Sequence, residues 1–304
     1  MNDKRSEEDL KNDPNMIGLY DKNGEPIFIP KDEYRQKVLP ESFKNAWNDP
    51  EQLYSQIHFA LKDGFYEEAL NAGKRQKEID TDIKRGYTTY GVVLMHNKQF
   101  DKARNLFIEY LNKYGDDAFI LTYLAKTFDL KADKKPVMEF LNKAIHIDPN
   151  EHDTLQFWTA IINEDKGRTA LIEELLNLSQ LPNAWLPQLW LAREYLIDKR
   201  KDEALDFYRH VINIAKDRPG VLMKISGDLG SAGYTQDVLD LVVPIYKPNA
   251  EEPYVGLNIL QSFLQTERIK EGKSFLEEMY DFKRPDIKKQ LDFFKIEFDK
   301  RKVK

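Results

Sequence analysis

The sequence predicts an all-α protein built from repeated pairs of helices. The first observation is a period: the residues that open successive apolar runs lie 33 or 34 positions apart, at Ala69, Ala103, Val137, Leu171, Ala204, Val238 and Gly272. The second is that each period carries two apolar stripes at helical spacing. A period of roughly 20 to 50 residues indicates a stacked array, so we expect about seven helix pairs.

The second period shows the two stripes clearly. The first helix has apolar or small residues at i, i+3, i+4 and i+7, namely Tyr87, Tyr90, Gly91 and Leu94. After a polar turn, the second helix has its own stripe, at Ala103, Phe107 and Tyr110. Proline ends or kinks a helix, so Pro149 should end the second helix of the third period. Pro244 should shorten or kink the second helix of the sixth.

Small residues recur on these stripes, as at Gly91, Ala125 and Ala192. Two antiparallel helices can approach closely only where one side chain is nearly absent. A large residue at such a position should cost about 1–3 kcal/mol through overpacking. Helices of about a dozen residues are marginal in isolation, so neighbouring pairs must supply the burial.

These residues resemble the tetratricopeptide repeat, whose signature has a small residue in the first helix, then small, aromatic and small positions in the second, and a proline. Three repeats match well, with Gly91, Ala103 and Phe107; with Ala125, Val137, Leu141, Ala144 and Pro149; and with Ala192, Ala204, Tyr208 and Val211. The first repeat departs, having Gly73 and Gln76. The resemblance implies a right-handed α-α superhelix, a solenoid whose first helices line a groove that binds a protein or a peptide.

Four segments are predicted along the chain: residues 1–15 disordered, 16–49 an N-terminal arm or cap, 50–285 the solenoid, and 286–304 a C-terminal capping helix. Within the arm, Asn23-Gly24 is a strong turn signal for a β-hairpin between Ile17–Tyr20 and Ile27–Ile29. The arm either covers the first repeat, or docks on a partner or into the groove.

Composition restricts the function classes. The formal net charge is −6 and no basic stripe is evident, so we expect no nucleic acid partner. The chain has no cysteine, which excludes disulfides and thiolate chemistry. No histidine pair has the zinc-binding HExxH spacing and no glycine-rich segment has phosphate-loop spacing. We therefore expect no catalysis, no metal and no cofactor.

No signal peptide or apolar span is visible, so a cytoplasmic protein without membrane insertion is expected.

The resemblance places the groove on first-helix residues about one turn from the packed stripe. The expected groove residues are Tyr54, His58, Arg85, Thr88, Thr122, Lys126, Gln156, Asn163, Arg193, Lys224, Asp228, Tyr254, Asn258 and Gln261. The clamp with which some family members bind acidic chaperone tails is absent, because the corresponding positions carry Tyr54, His58, Thr89, Phe119 and Tyr123.

The leading interpretation is an adaptor or scaffold whose groove binds another protein or a peptide segment. Two alternatives stay open: a homo-oligomer assembled through the array or the N-terminal arm, and a non-catalytic subunit of an enzyme complex.

Overall fold

The computed structural model describes residues 6–21, 23–215, 218–248, 252–281 and 283–301. It divides into two compact units, one that ends at Ile147 and one that begins at Asp148. The sequence signals above do not predict this division.

The first unit contains a β-hairpin near its start. Strands β1 (Met16–Tyr20) and β2 (Pro26–Pro30) pair antiparallel, with Ile17 opposite Ile29. Gly24 has φ of 83° in the turn, a conformation that glycine adopts without strain. The predicted hairpin is therefore confirmed.

A short helix, α1 (Glu7–Lys11), precedes the hairpin, in a stretch for which disorder is predicted. The helix begins with a capping box, in which the Ser6 hydroxyl accepts from the Asp9 backbone N–H and the Asp9 carboxylate accepts from the Ser6 backbone N–H. Residues 1–5, for which disorder is also predicted, lie outside the described residues. The limits of the four predicted segments stay predictions.

After the hairpin, the chain runs through helix α2 (Lys31–Glu33), a π-helical turn (Tyr34–Val38) and helix α3 (Leu39–Ala46). Three helix pairs complete the first unit. They are α4 (Pro50–Lys62) with α5 (Ala69–Ile79), α6 (Ile83–His96) with α7 (Phe100–Tyr114), and α8 (Ala118–Ala125) with α9 (Lys134–Ile147).

The second unit begins with α10 (His152–Ser179), which is broken at Gly167 (φ 78°, ψ 173°) and so forms a pair by itself. The other pairs are α11 (Trp185–Ile197) with α12 (Lys201–Ile214), α13 (Arg218–Ser231) with α14 (Thr235–Val242), and α15 (Pro253–Gln265) with α16 (Ile269–Asp281). A 3-10 turn (Pro285–Ile287) leads to α17 (Lys288–Asp299).

The described residues thus contain seven helix pairs and a final helix, which confirms the predicted all-α architecture. Helix α14 has only eight residues and ends before Pro244, so the predicted shortening is confirmed as well. Helix α17 packs against α15 and α16 and buries Leu291, Phe294 and Phe298. Within the described part of the chain, no helix is both long enough and apolar enough to cross a membrane.

Close approaches between helices explain the small residues. A Cβ built on Gly91 would lie 2.2 Å from Cζ of Phe107, and one on Gly272 would lie 2.4 Å from Cε1 of Phe298. Both aromatic side chains are buried. A side chain at either glycine would therefore force the two neighbouring helices apart.

We predict opposite effects for two glycine-to-alanine changes in helices. Gly91→Ala should lower the free energy of unfolding by about 1–3 kcal/mol, because the added methyl overlaps the Phe107 ring. Gly227→Ala in α13 is the matched control, since a Cβ there has no heavy atom within 4 Å. It should raise stability by about 0.5–1 kcal/mol through helix propensity alone. Urea unfolding followed by circular dichroism measures both, and a shift of both variants in the same direction would contradict the prediction.

Candidate partner-binding site

The first unit has a cavity of about 560 Å³ on the side formed by its first helices, α4, α6 and α8. The lining side chains come from these three helices and from Asp82, which caps α6: Tyr54, Ile57, His58, Leu61, Lys62, Asp82, Lys84, Arg85, Thr88, Thr89, Val92, His96, Phe119 and Tyr123. Cavities of this size are typical of ligand sites. One cavity therefore gathers equivalent positions of three consecutive repeats.

Aromatic side chains form two walls of the cavity. On α8, the Phe119 and Tyr123 rings lie 4.8 Å apart between centroids. On α4, the Tyr54 ring faces the Arg85 guanidinium, whose central carbon is 5.2 Å from the ring centroid. The two walls offer rigid apolar area, which aromatic residues supply at low entropic cost.

Arg85 ties α6 to α4. Its guanidinium donates to both carboxylate oxygens of Glu51, at 2.9 and 2.6 Å, and to both oxygens of Asp80, at 2.8 Å each. The Asp80 side chain is fully buried and also accepts from Nε2 of Gln76 at 2.6 Å. Burial by itself would raise the pKa of Asp80, but the hydrogen bonds from Arg85 and Gln76 outweigh it and lower the pKa below its usual value.

Gln76 is one of the residues at which the first repeat departs from the family signature, and the structure shows its role. It is buried, and Nε2 donates to the backbone carbonyl of Pro50 at 2.9 Å as well as to Asp80. A small residue at this position could not hold the Asp80 carboxylate. The departure therefore supports the ionic network that orients Arg85.

The cavity has an excess of cationic and imidazole side chains. Lys62, His58 and His96 line it and form no ion pair with any described residue, although the His96 ring stacks on Tyr66 at 4.7 Å. Lys84 pairs with Asp117 at 3.0 Å. Asp82 is the single acid in the lining, and its carboxylate already accepts from the backbone N–H of Arg85. Because carboxylates already neutralise Lys84 and Arg85, Lys62 is the lysine of the lining that remains available to an acidic group among the described residues.

Four of the predicted groove residues lie together in this cavity, and two from the third repeat do not. Tyr54, His58, Arg85 and Thr88 line it. Thr122 is fully buried, and its hydroxyl donates to the Ala118 carbonyl at 2.9 Å, so it offers no binding surface. Lys126 lies beside the cavity, with Nζ 4.5 Å from the Tyr123 ring centroid.

Phe119 and Tyr123 take the place of Thr122 and Lys126 in the lining. Counting one 34-residue period from Arg85 and Thr89 leads to Phe119 and Tyr123. Adding the period to Thr88 leads to the buried Thr122 instead. Adding it to Arg85 and Thr89 would have predicted Phe119 and Tyr123 as lining residues.

In the second unit, several predicted groove residues bind neighbouring helices to one another. Nε of Arg193 on α11 donates to Oδ1 of Asp228 on α13 at 3.0 Å, and the Tyr208 hydroxyl donates to Oδ2 at 3.2 Å. Nδ2 of Asn258 on α15 donates to the Ser226 hydroxyl of α13 at 2.9 Å. Arg193, Asp228 and Asn258 therefore serve helix stacking.

The remaining predicted groove residues of the second unit reach the surface to different extents. Gln156 and Asn163 on α10 are exposed, as are Tyr254 and Gln261 on α15, and Lys224 on α13 is half-buried. None of these five lines the cavity described above, which belongs to the first unit.

No protein-family model and no curated protein sequence matches the chain. Solved structures that are similar include yeast Tom70, at 15% identity over 87% of this chain and 58% of that chain, with a TM-score of 0.48. Pseudomonas aeruginosa PilF is similar at 16% identity over 77% of this chain and 99% of that chain, with a TM-score of 0.37. YrrB, described as a tetratricopeptide-repeat protein with an unusual peptide-binding site, is similar at 13% identity over 61% and 96%, with a TM-score of 0.33.

At these identities the likeness concerns the fold alone. The helix pairs of this chain resemble tetratricopeptide repeats, and proteins of that kind are among the similar structures. The resemblance predicted from the sequence is confirmed to that extent.

We predict that Asp80→Asn destabilises the first unit by about 1.5–3 kcal/mol, because charge-assisted hydrogen bonds to a buried carboxylate are lost. The control is Asp101→Asn, which removes an exposed pair with Arg104 and should cost less than about 1 kcal/mol. Urea unfolding of both variants and the wild type at neutral pH gives the comparison. Equal effects of the two changes would contradict a special role for Asp80.

The same contact predicts a pH dependence. The pKa of Asp80 is lower in the folded chain than its usual value of 3.8. The folded state therefore binds fewer protons at this site, and the stabilisation is complete above that usual value. This stabilisation is lost as the pH falls from the usual pKa of Asp80 through the lower pKa of the folded state. The difference in unfolding free energy between wild type and Asp80→Asn should accordingly shrink on acidification.

Proposed function

We propose that this chain is a protein- or peptide-binding adaptor and that the cavity on α4, α6 and α8 receives a segment of its partner. The observation that supports the proposal most is that three consecutive first helices contribute to one preformed cavity, which has aromatic walls and a lysine, Lys62, that forms no ion pair among the described residues. A preformed site of this kind binds without the entropic cost of ordering itself. The proposal includes a cytoplasmic location and no catalysis by the chain.

The chemistry of the lining defines the segment that would bind. Phe119 and Tyr123 offer aromatic surface to a large apolar side chain. Lys62 forms no ion pair among the described residues and so can neutralise a carboxylate, to which the imidazole of His58 can donate a hydrogen bond. The segment would therefore carry an aspartate or glutamate close to an aromatic or branched aliphatic residue.

Selection from a displayed peptide library tests this proposal. Peptides enriched on the wild-type chain should combine an acidic and a large apolar residue. Lys62→Glu should weaken the selected peptide by at least about tenfold, because reversing a charge turns an attraction into a repulsion. The side chain is exposed, so the change should affect stability by less than about 0.5 kcal/mol.

Lys102→Glu on α7 is the matched control, because Lys102 is also an exposed lysine on a helix but lies outside the cavity lining. It should leave the peptide affinity unchanged. Fluorescence polarisation with the selected peptide measures both variants. Equal losses for Lys62→Glu and Lys102→Glu, or no peptide enrichment at all, would contradict the proposal.

A further inference from the structure

The two edges of the N-terminal hairpin differ chemically. The Asp21 N–H donates to the Glu25 carbonyl at 2.9 Å, and the Lys31 N–H donates to the Asn15 carbonyl at 2.8 Å. Hydrogen-bonded pairs alternate along an antiparallel ladder. The backbone N–H and C=O groups of residues 17 and 19 of β1 therefore point towards β2. Residues 16, 18 and 20 therefore point their N–H and C=O groups outward from β1, as residues 26, 28 and 30 do from β2.

The outer edge of β2 is blocked. Two of its three outward positions are Pro26 and Pro30, which have no N–H to donate. Prolines at these positions are a common way to prevent strand pairing. An additional strand could find only one donor there, at Phe28.

The outer edge of β1 is open. Gly18 and Tyr20 retain outward N–H groups, and these form no hydrogen bond within the described residues. Tyr20 is 79% exposed and Gly18 is exposed as well. The strand, MIGLY, contains no charged residue and no proline, so it lacks the features that keep an edge strand from pairing.

The hairpin presents this edge in a fixed position. Ile17 is 3% exposed and belongs to a core cluster with Tyr34 and Leu39, and Leu19 and Ile29 pack against that cluster. One face of the hairpin is therefore anchored in the first unit. The open edge does not have to be ordered at the moment of binding, which lowers the cost of pairing.

We propose that β1 pairs antiparallel with β1 of a second copy of this chain, about a two-fold axis at Gly18. In this register, Gly18 lies opposite Gly18 of the second copy, and the two residues exchange two hydrogen bonds. The Tyr20 N–H then donates to the Met16 carbonyl of the second copy, and the reciprocal bond forms too. The Met16 N–H is not needed, because it already donates to the Asp13 carbonyl at 3.1 Å.

The self-complementarity of the edge singles out a second copy as the occupant. In the two-fold register, Asp21 lies opposite Asn15 at each end of the paired strands, so no like charges meet there. The same patch serves on both partners, as a two-fold interface requires. A pair of five-residue strands buries less area than a standard stable interface. The dimer should therefore be weak and form only at high protein concentration.

Sedimentation velocity of the full chain from about 1 µM to about 1 mM tests the proposal. The dimer fraction should rise with concentration. Tyr20→Pro removes two of the four intermolecular donors but no hairpin bond, and it should weaken the dimer by at least about tenfold. Phe28→Pro places the same residue at the outward position of β2 and should leave the dimer unchanged. Circular dichroism of both variants verifies that they fold.

The register is tested by cross-linking, since the chain contains no cysteine and a single introduced thiol has no competitor. Gly18→Cys places two thiols opposite each other and should give a covalent dimer on oxidation. The Phe28 ring, 3.3 Å from the new Cβ, is half-buried and can move. Phe28→Cys on the other edge should stay monomeric.

Three results would overturn the proposal: a monomer at every concentration, a dimer that Tyr20→Pro does not weaken, or cross-linking at position 28 as efficient as at position 18.

Discussion

The close approach of paired helices is the constraint on which the rest of the structure depends. Gly91 brings α6 so near to α7 that the Phe107 ring occupies the space where a side chain would be. The helices of the three pairs in the first unit have 8 to 15 residues, a length that is marginal in water without neighbours. Each helix therefore persists because its apolar stripe is covered by the next, and the small residues make that cover possible.

Polar contacts between residues about one period apart also join neighbouring repeats. Glu51 and Arg85 differ by 34 positions, Lys84 and Asp117 by 33, and both pairs join neighbouring first helices of the first unit. In the second unit, Arg193 and Asp228 differ by 35. These charged groups on the first-helix side are thereby neutralised by the adjacent repeat. The cavity on α4, α6 and α8 differs because Lys62 and His58 form no such pair among the described residues.

Much of the fold could be predicted because its determinants are local and repeated. The period and the two stripes around Gly91 and Phe107 predict the helix pairs, Pro244 predicts the short α14, and Asn23-Gly24 predicts the hairpin. The turns inside several pairs were less visible. Lys98, Lys199 and Glu267 all have positive φ between the two helices of a pair, yet none is the glycine that such a conformation favours.

The site was harder to predict than the fold because exposure depends on how helices rotate against each other. Thr88 and Thr122 are one period apart, and each hydroxyl donates to the carbonyl four residues earlier. This hydrogen bond allows a polar residue to be buried. Thr122 is therefore absent from the surface, although its position in the repeat suggests a groove residue. The guanidinium of Arg193 is likewise engaged, here by Asp228 of the next repeat. The division after Ile147 likewise has no composition signal.

Hydrogen exchange of full-length Phe107→Leu compared with wild type tests most directly whether each helix depends on its neighbours. Phe107 in α7 is fully buried; it contacts Tyr123 of α8 and fills the space beside Gly91 of α6. The account predicts faster amide exchange in α6, α7 and α8, with little change in β1, β2 and α3. An increase confined to α7, or one of equal size throughout the first unit, would contradict it.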